Sequence, residues 1–303
     1  MGLYSSRSFF DQMIDMLEEV EARAAMVDAD PSIPQKTRAL DMNGNKQDFL
    51  DIPPKEDRLG PYLTFTPLEQ LLYYNADRGD KKEPIFIARV SYSKISEQEN
   101  YHPVEFMDDV EAANRFAQAV KTWKNTKHDQ AIREFFSMPG VHIQHKTTKL
   151  VAFGLGEFCV KPRPSDDLGG YQRCYDSIRT QHAVFQEVGR SLQAYLDQTS
   201  PGDEITLVAQ DPGYSALDKR ILKDMDVRAI DHPVRGIMEL DNESAVFSIG
   251  AGFPVKQVVF AVSRPTMIIW QKPSKRGLAH PAKRRWLFPR KAEDQYEPQS
   301  PSP

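Results

Sequence analysis

Apolar residues near the start of the chain, Phe9, Phe10, Met13, Ile14, Leu17 and Val20, recur at steps of three and four and so line one face of a helix. Asp11, Asp15, Glu18 and Glu19 point mostly elsewhere, and the expectation is an amphipathic helix docked on the body. Pro31 to Pro61 holds five prolines and the polar stretch "DMNGNKQD", and with little to bury it reads as an extended connector of low order. The stretch "TPLEQLLYYNADRG" has Thr66 as a cap, Pro67 at the first helical position, Glu69 in the first turn and Gly79 at its end, which predicts a short helix. "PIFIARV" follows as a strand. Val110, Ala113, Ala117, Val120 and Trp123 or Lys124 give the next helical face, which Ile132, Phe135 and Phe136 continue after a break around "KNTKHD".

From Lys149 the pattern changes to short apolar runs separated by helical stretches, as expected for parallel strands joined by crossover helices. "KLVAFGL" is the first strand. The long helical stretch from Tyr171 puts Cys174, Ile178, Phe185, Val188, Leu192 and Tyr195 on one stripe, and "SPGD" turns the chain into a second strand, "ITLVAQD". "SALDKRILKDM" reads as a helix, "VRAID" and "SAVFSIG" as strands, "PVKQVVFAV" as a helix and "TMIIWQ" as a fifth strand. The fold class predicted is α/β, a Rossmann-like, doubly wound, mostly parallel sheet with an N-terminal helical extension. The domain reading is 1–61 for the amphipathic helix and connector, 62–148 for a helical lead-in with one or two strands, 149–271 for the α/β domain, and 272–303 for a basic, proline-rich tail expected to be disordered.

Composition narrows the class. An apolar content of 40% with a mean hydropathy of -0.55 suits a soluble globular chain of 303 residues. No apolar run approaches the ~18–20 residues of a bilayer span. The acidic start is unlike a secretory signal, and two cysteines, Cys159 and Cys174, fit a reducing compartment, so cytoplasm or nucleus is expected. Lys272 to Lys291 carries eight Lys or Arg and no acid, interleaved with Trp286, Leu287 and Phe288, against a whole-chain charge of -4. Such a tail has a weak capacity for nucleic acid or an anionic surface; the plainer reading is a solvated tail or a local import signal.

The first strand stops on Gly154-Leu-Gly156. A strand ending this way allows a phosphate to approach the backbone closely, but the third glycine of a dinucleotide fingerprint is missing and the next helix starts only after "EFCVKPRPSDDLGG". The ribose-holding acid expected ~20 residues on is also missing, since Asp211 lies 55 residues after Gly156. The glycines therefore read chiefly as a tight backbone bend, with anion contact the lesser alternative. Asp211 ends the second strand at the edge where open α/β sheets place ligands; its other reading is a helix cap near Ser215 or a turn stabilised through its own backbone. His182, mid-helix beside an apolar stripe, reads as a packing histidine rather than a general base. His142 and His145 point to opposite faces if they lie on a strand and converge if they lie on a helix, and without further Cys or acid spacing a metal site is disfavoured. No nucleophile elbow, no phosphate loop and no paired-cysteine zinc motif is present.

"LVAFGLGEF", "SIRTQHAVF", "LVAQDPGYSALDKRIL" and "VRAIDHPVRG", taken in order, resemble the sensitivity-to-red-light-reduced-like (SRR-like) domain over about residues 149–270. Their anchors are Gly154 and Gly156, then Arg179, Gln181 and Ala183, then Asp211-Pro212 followed by Asp218 and Ile221-Leu222. Where that family has a Met-Pro-His-Cys type segment, this chain has Gly250-Ala251-Gly252, so any role of that histidine or cysteine is missing. The long lead-in is similar to that of fungal members. The resemblance implies a Rossmann-like fold and a regulatory role, in plants in light and circadian signalling and in other eukaryotes in haem-related regulation and microtubule stability, with no agreed catalytic activity.

The expectation is an intracellular regulatory or ligand-binding protein that acts by binding a small molecule or a protein. Its crevice would be built by Gly154, Gly156, Arg179, Gln181 and Asp211, with no catalytic set and no metal. No cofactor is assigned. The alternatives are a group transferase using a nucleotide-containing cofactor such as S-adenosylmethionine, and a scaffold acting through its basic tail.

Overall fold

The computed structural model describes residues 7–30, 32, 35–41, 45–53, 55, 58–65, 86–94, 105–141, 143, 146–161, 170–232, 234–251 and 255–270. The helix predicted over 66–79, His142 and His145, Gly252, and the basic tail lie outside them.

The expected α/β core is present. Strands β5 (Lys149–Phe153), β6 (Thr206–Gln210), β7 (Val227–Ile230), β8 (Ser244–Ser248) and β9 (Met267–Trp270) form one sheet in the order β7-β6-β5-β8-β9, and every pairing in it is parallel. The chain thus winds outward from β5 through β6 to β7, then returns to β8 on the other side of β5. That reversal is the Rossmann-like strand order. The near-continuous apolar runs have their explanation here, because a parallel strand with neighbours on both sides is covered on both faces. In β5, Val151 and Phe153 enter one core while Leu150 and Ala152 enter the other, and all four are buried.

Helices α4 (Gly170–Thr199) and α5 (Ala216–Asp224), connecting β5 to β6 and β6 to β7, supply one core through Phe185, Val188, Leu192, Leu217, Ile221 and Leu222. Helices α2 (Asp109–Trp123) and α3 (Lys127–Ser137) pack outside α4. Asp108 and Thr126 cap them by accepting the Glu111 and Asp129 N–H groups.

The opposite face receives α6 (Arg235–Met238) and α7 (Val255–Val262). Since α6 is a single turn, it covers little of that face. The predicted N-terminal helix, α1 (Arg7–Ala29), completes the cover. Phe9, Phe10, Met13, Met16, Leu17, Val20, Ala24 and Val27 are all buried in the same core as Val151, Phe153, Val208 and Val246.

The segment read as a connector is structured where it is described. Strands β1 (Lys36–Asp41), β2 (Lys46–Asp51) and β3 (Arg58–Phe65) join β4 (Phe86–Lys94) in an antiparallel sheet of order β2-β1-β4-β3. Leu40 and Ala88 of this sheet share the α1 core. A charged cluster fixes the register of helix on sheet: Glu19 accepts from Arg38 Nε at 3.0 Å and Nη2 at 2.7 Å, and Asp48 accepts from Arg23 and Arg38.

Candidate functional site

Parallel alignment brings the exit ends of β5 and β6 side by side, and the bend after β5 is built there. The backbone runs through φ +67° at Gly154 and φ +83° at Gly156, conformations that residues with a Cβ adopt only at a cost. A Cβ on Gly154 would also overlap the backbone of Ala251, at the exit of β8, and lie 2.7 Å from its side chain. One on Gly156 would press on Ile178 of α4 at 3.2 Å. The backbone conformation therefore favours glycine at both positions, and close packing demands it at Gly154.

Their N–H groups are already used. Gly154 donates to the Gln210 carbonyl at 2.9 Å, and Gly156 donates to Asp211 Oδ2 at 2.6 Å. A phosphate would find neither donor free and a carboxylate in its way. This works against the anion alternative at these two positions. Asp211 Oδ1 meanwhile accepts from Gly213 N–H at 2.9 Å, the turn role, while the helix cap nearby is Ser215. Asp211 thus stabilises its own turn and also reaches across to the bend.

A second carboxylate, which the sequence reading had only as a family anchor, holds the rest of this loop. Asp218 is fully buried on the first turn of α5. Its Oδ1 accepts the N–H groups of Phe158 and Cys159, each at 3.0 Å, and its Oδ2 accepts from the Ser215 N–H at 2.8 Å and hydroxyl at 2.6 Å. The spacing Ser215-x-x-Asp218 is a capping box legible in the sequence. That the same carboxylate also gathers a loop 60 residues upstream is not.

Arg179 does not present its charge to the crevice. Its side chain is buried, and it donates to the carbonyls of Phe158 at 3.1 Å and Val160 at 3.4 Å and to Asp176 at 3.1 Å. It is a clamp on the strand-exit loop, which on its other side pairs with the chain before α2 through Met107 N–H to the Cys159 carbonyl and Lys161 N–H to the Glu105 carbonyl. Gln181 is half-buried on α4, and no described hydrogen bond joins it to the other four predicted residues. Of those five, Gly154, Gly156 and Asp211 come together at the strand ends.

His182 is the packing histidine expected. It is buried, with Nδ1 3.0 Å from the Ile178 carbonyl and Nε2 3.1 Å from Tyr214 Oη. A carbonyl only accepts, so Nδ1 carries the proton and the tyrosine hydroxyl donates to Nε2. Burial lowers the pKa of the imidazole to about 4, and Phe158 packs 4.5 Å from its ring. Burial likewise raises the Tyr214 hydroxyl well above its ordinary value, helped by Asp211 and Asp218. The Cys159 thiol is pushed up by burial and then by Asp218, which makes it a poor nucleophile.

The group missed altogether is Glu157. It sits between Gly156 and Phe158, its Cβ 4.0 Å from where a Cβ on Gly213 would lie. Burial first, then the charges of Asp218 and Asp211, raise its carboxyl to about 7. Asp211 is also raised, by burial, although the N–H groups of Gly213 and Gly156 oppose the shift. The strand exits therefore carry an electronegative edge in which one carboxyl changes charge near neutrality. No signal in a single sequence marks Glu157, because only the parallel pairing sets it beside Asp211. A groove of about 320 Å³ lined by Arg133, Phe136, Glu187, Arg190, Tyr195 and Gln198 also runs between α3 and the half of α4 that leads into β6. Its two arginines are paired, with Asp129 and Glu187.

Fold and strand exits together define an α/β protein of Rossmann-like class. Residues 129–278 match the SRR1 domain, which supports the resemblance to the SRR-like family. The matched span begins within α3 and takes in the whole parallel sheet, leaving α1, the antiparallel sheet and α2 outside it. No curated protein and no solved structure matches the chain.

Proposed function

We propose that this is a regulatory protein of SRR-like kind, of fungal type by its long lead-in, that works in cytoplasm or nucleus. It binds a small ligand at the carboxyl edge of its parallel sheet. The observation that carries the reading is the pairing of Asp211 with the Gly156 bend, with Glu157 alongside, at the edge where open α/β sheets bind their ligands. Each oxygen of Asp211 keeps acceptor capacity beyond the backbone N–H it already takes. The edge is thus suited to donors, hydroxyl groups or a cation, rather than to a phosphate.

Three of the polar groups around the bend support binding rather than catalysis. His182 is neutral with both nitrogens engaged, the Cys159 thiol is suppressed, and Asp218 is committed to four hydrogen bonds. One observation favours a second reading: Asp211 ends the strand next to β5, a position from which a carboxylate receives the hydroxyls of a ribose. A transferase using S-adenosylmethionine, whose sulfonium is a cation, is that alternative.

A melting-temperature screen of the full chain against nucleosides, S-adenosylmethionine, polyamines and haem separates these. A ligand at 100 times its dissociation constant stabilises by about 2.7 kcal/mol. The binding reading expects such a shift with a hydroxyl-bearing or cationic compound, and its loss in Glu157→Gln. Shifts confined to anionic phosphates would overturn it. Methyl transfer to any acceptor would favour the alternative.

A further inference from the structure

The turn between β7 and α6 is held by an imidazole. His232 Nδ1 lies 3.1 Å from both the Val234 and the Arg235 nitrogens, so it accepts the N–H groups at the start of α6, where the helix has no other side-chain cap. A ring nitrogen accepts only while unprotonated, so this arrangement requires the Nε2–H tautomer of a neutral histidine. Two further contacts connect the turn to the rest of the molecule. The His232 carbonyl accepts from Gln210 Nε2 at 3.2 Å, one residue before Asp211. Beyond the cap, α6 packs on α1: Val234 and Ile237 share the core that buries Phe10, Met13 and Leu17, and Arg235 lies 3.7 Å from Glu18.

We propose that His232 is an acid-released latch: neutral, it fastens α6 in its place beside α1; protonated, it loses its acceptor, drops both N–H groups and loosens α6 and its contact with α1. The charged groups around it are Arg235 of α6, Glu18 of α1 and its neighbour Asp231, which Lys219 of α5 holds at 2.7 Å. Arg235 opposes protonation, and Glu18 and Asp231 favour it. Burial is the largest influence and, with Arg235, leaves the imidazole below its ordinary value of 6.5. A histidine whose folded pKa is depressed contributes stability that is present above the unfolded value and is lost as pH falls through the folded one. The latch is therefore closed at neutral pH and opens only as pH falls through a folded value that lies below the ordinary 6.5. It stands independently of any ligand at the strand exits.

Hydrogen exchange of the full chain, corrected for the intrinsic pH dependence of exchange, tests this at about pH 7.5 and at an acid pH below the His232 midpoint found by nuclear magnetic resonance titration. Losing hydrogen bonds at the cap should lower the protection of α6 by about tenfold on acidification, and that of α1 only around Glu18, where α6 packs on it. His232→Asn, whose side-chain oxygen replaces Nδ1 as an acceptor but does not titrate, should remove most of that drop. His232→Ala should show the loosened state at both pH values. Equal loss in wild type and His232→Asn, or no loss in wild type, would overturn the latch. Should the variants fold poorly, titration of the wild type by nuclear magnetic resonance decides: the Val234 and Arg235 amides must move with the midpoint of the His232 ring, and independent midpoints would refute it.

Discussion

Asp211 and Gly156, 55 residues apart in the chain, meet in a 2.6 Å hydrogen bond from the glycine N–H to Oδ2. That single contact couples the exits of β5 and β6. It sits in a partly buried setting where water is a poor substitute for the carboxylate, so truncation leaves a donor unmet. Asp211→Ala should therefore destabilise by about 1–3 kcal/mol. Urea denaturation measures it, and a loss under about 0.5 kcal/mol, the range of an ordinary surface change, would mean that the bend does not depend on this partner.

The glycines offer an internal comparison. Gly154 and Gly202 both have positive φ, +67° and +92°, but a Cβ on Gly202 would meet nothing within 4 Å whereas one on Gly154 would overlap Ala251. Gly202→Ala should cost only the backbone term, about 1–2 kcal/mol. Gly154→Ala should cost that plus about 1–3 kcal/mol of overpacking. Equal losses in the two variants would show that the β8 exit yields without penalty and that the bend is conformational alone.

How much of this was readable beforehand follows from what each segment buries. Strands β5, β6 and β8 announce themselves because a central parallel strand needs apolar residues on both faces, and α1 because its buried stripe runs from Phe9 to Val27, about five turns. The strands around Lys36–Asp51 do not, since β2 alternates between half-buried and exposed positions and is held by its backbone ladder with β1, with ion pairs from Arg23 and Arg38 to Asp48 beside it. The prolines that flank them, Pro31, Pro34, Pro53 and Pro54, read as breaks in structure. Arg179 misled for another reason: a charge beside an apolar stripe normally points to solvent, yet here loop carbonyls take it inward. Glu157 and the His232 cap depend on contacts that no local pattern encodes.

Asp218 carries more of the loop than any predicted residue. Its four accepted hydrogen bonds hold the cap of α5 and the backbone from Phe158 to Cys159 together. Asp218→Ala removes the capping box, worth about 1 kcal/mol, and strands two buried N–H groups at about 1–3 kcal/mol each. The expected total is about 3 kcal/mol or more. Ser215→Ala, which takes only the cap hydroxyl, should cost about 1 kcal/mol. If the two variants denature at the same urea concentration, Asp218 is a cap and nothing more.

The helix α1 lies outside the matched span, yet it covers the face that the one-turn α6 leaves open. Its side chains should then behave as core. Phe10→Ala should cost about 3–5 kcal/mol and Met13→Ala about 2–5 kcal/mol, while Met26→Ala, half exposed on the same helix, should fall within about 0.5 kcal/mol of wild type. Small losses at Phe10 and Met13 would show that α1 is an appendage and that the sheet face tolerates water.

Glu157 and His182 pull stability in opposite directions with pH, and the sign follows from which state holds more protons. The Glu157 carboxyl is raised to about 7 from 4.5, so between those values the folded chain binds the extra proton; its contribution is intact below 4.5 and is lost as pH rises through about 7. The His182 ring is lowered to about 4 from 6.5, so its contribution is intact above 6.5 and is lost as pH falls through about 4. Replacing Glu157 with Gln removes a charge that is unwelcome only at the upper end. The variant should gain little at pH 4.5 and up to about 3 kcal/mol over wild type at pH 8, the full shift converted at 1.36 kcal/mol per unit. Paired urea melts at the two pH values read this difference directly. A gain that is the same at both would place the Glu157 carboxyl in water, away from Asp211 and Asp218, and with it would go the electronegative edge on which the ligand reading rests.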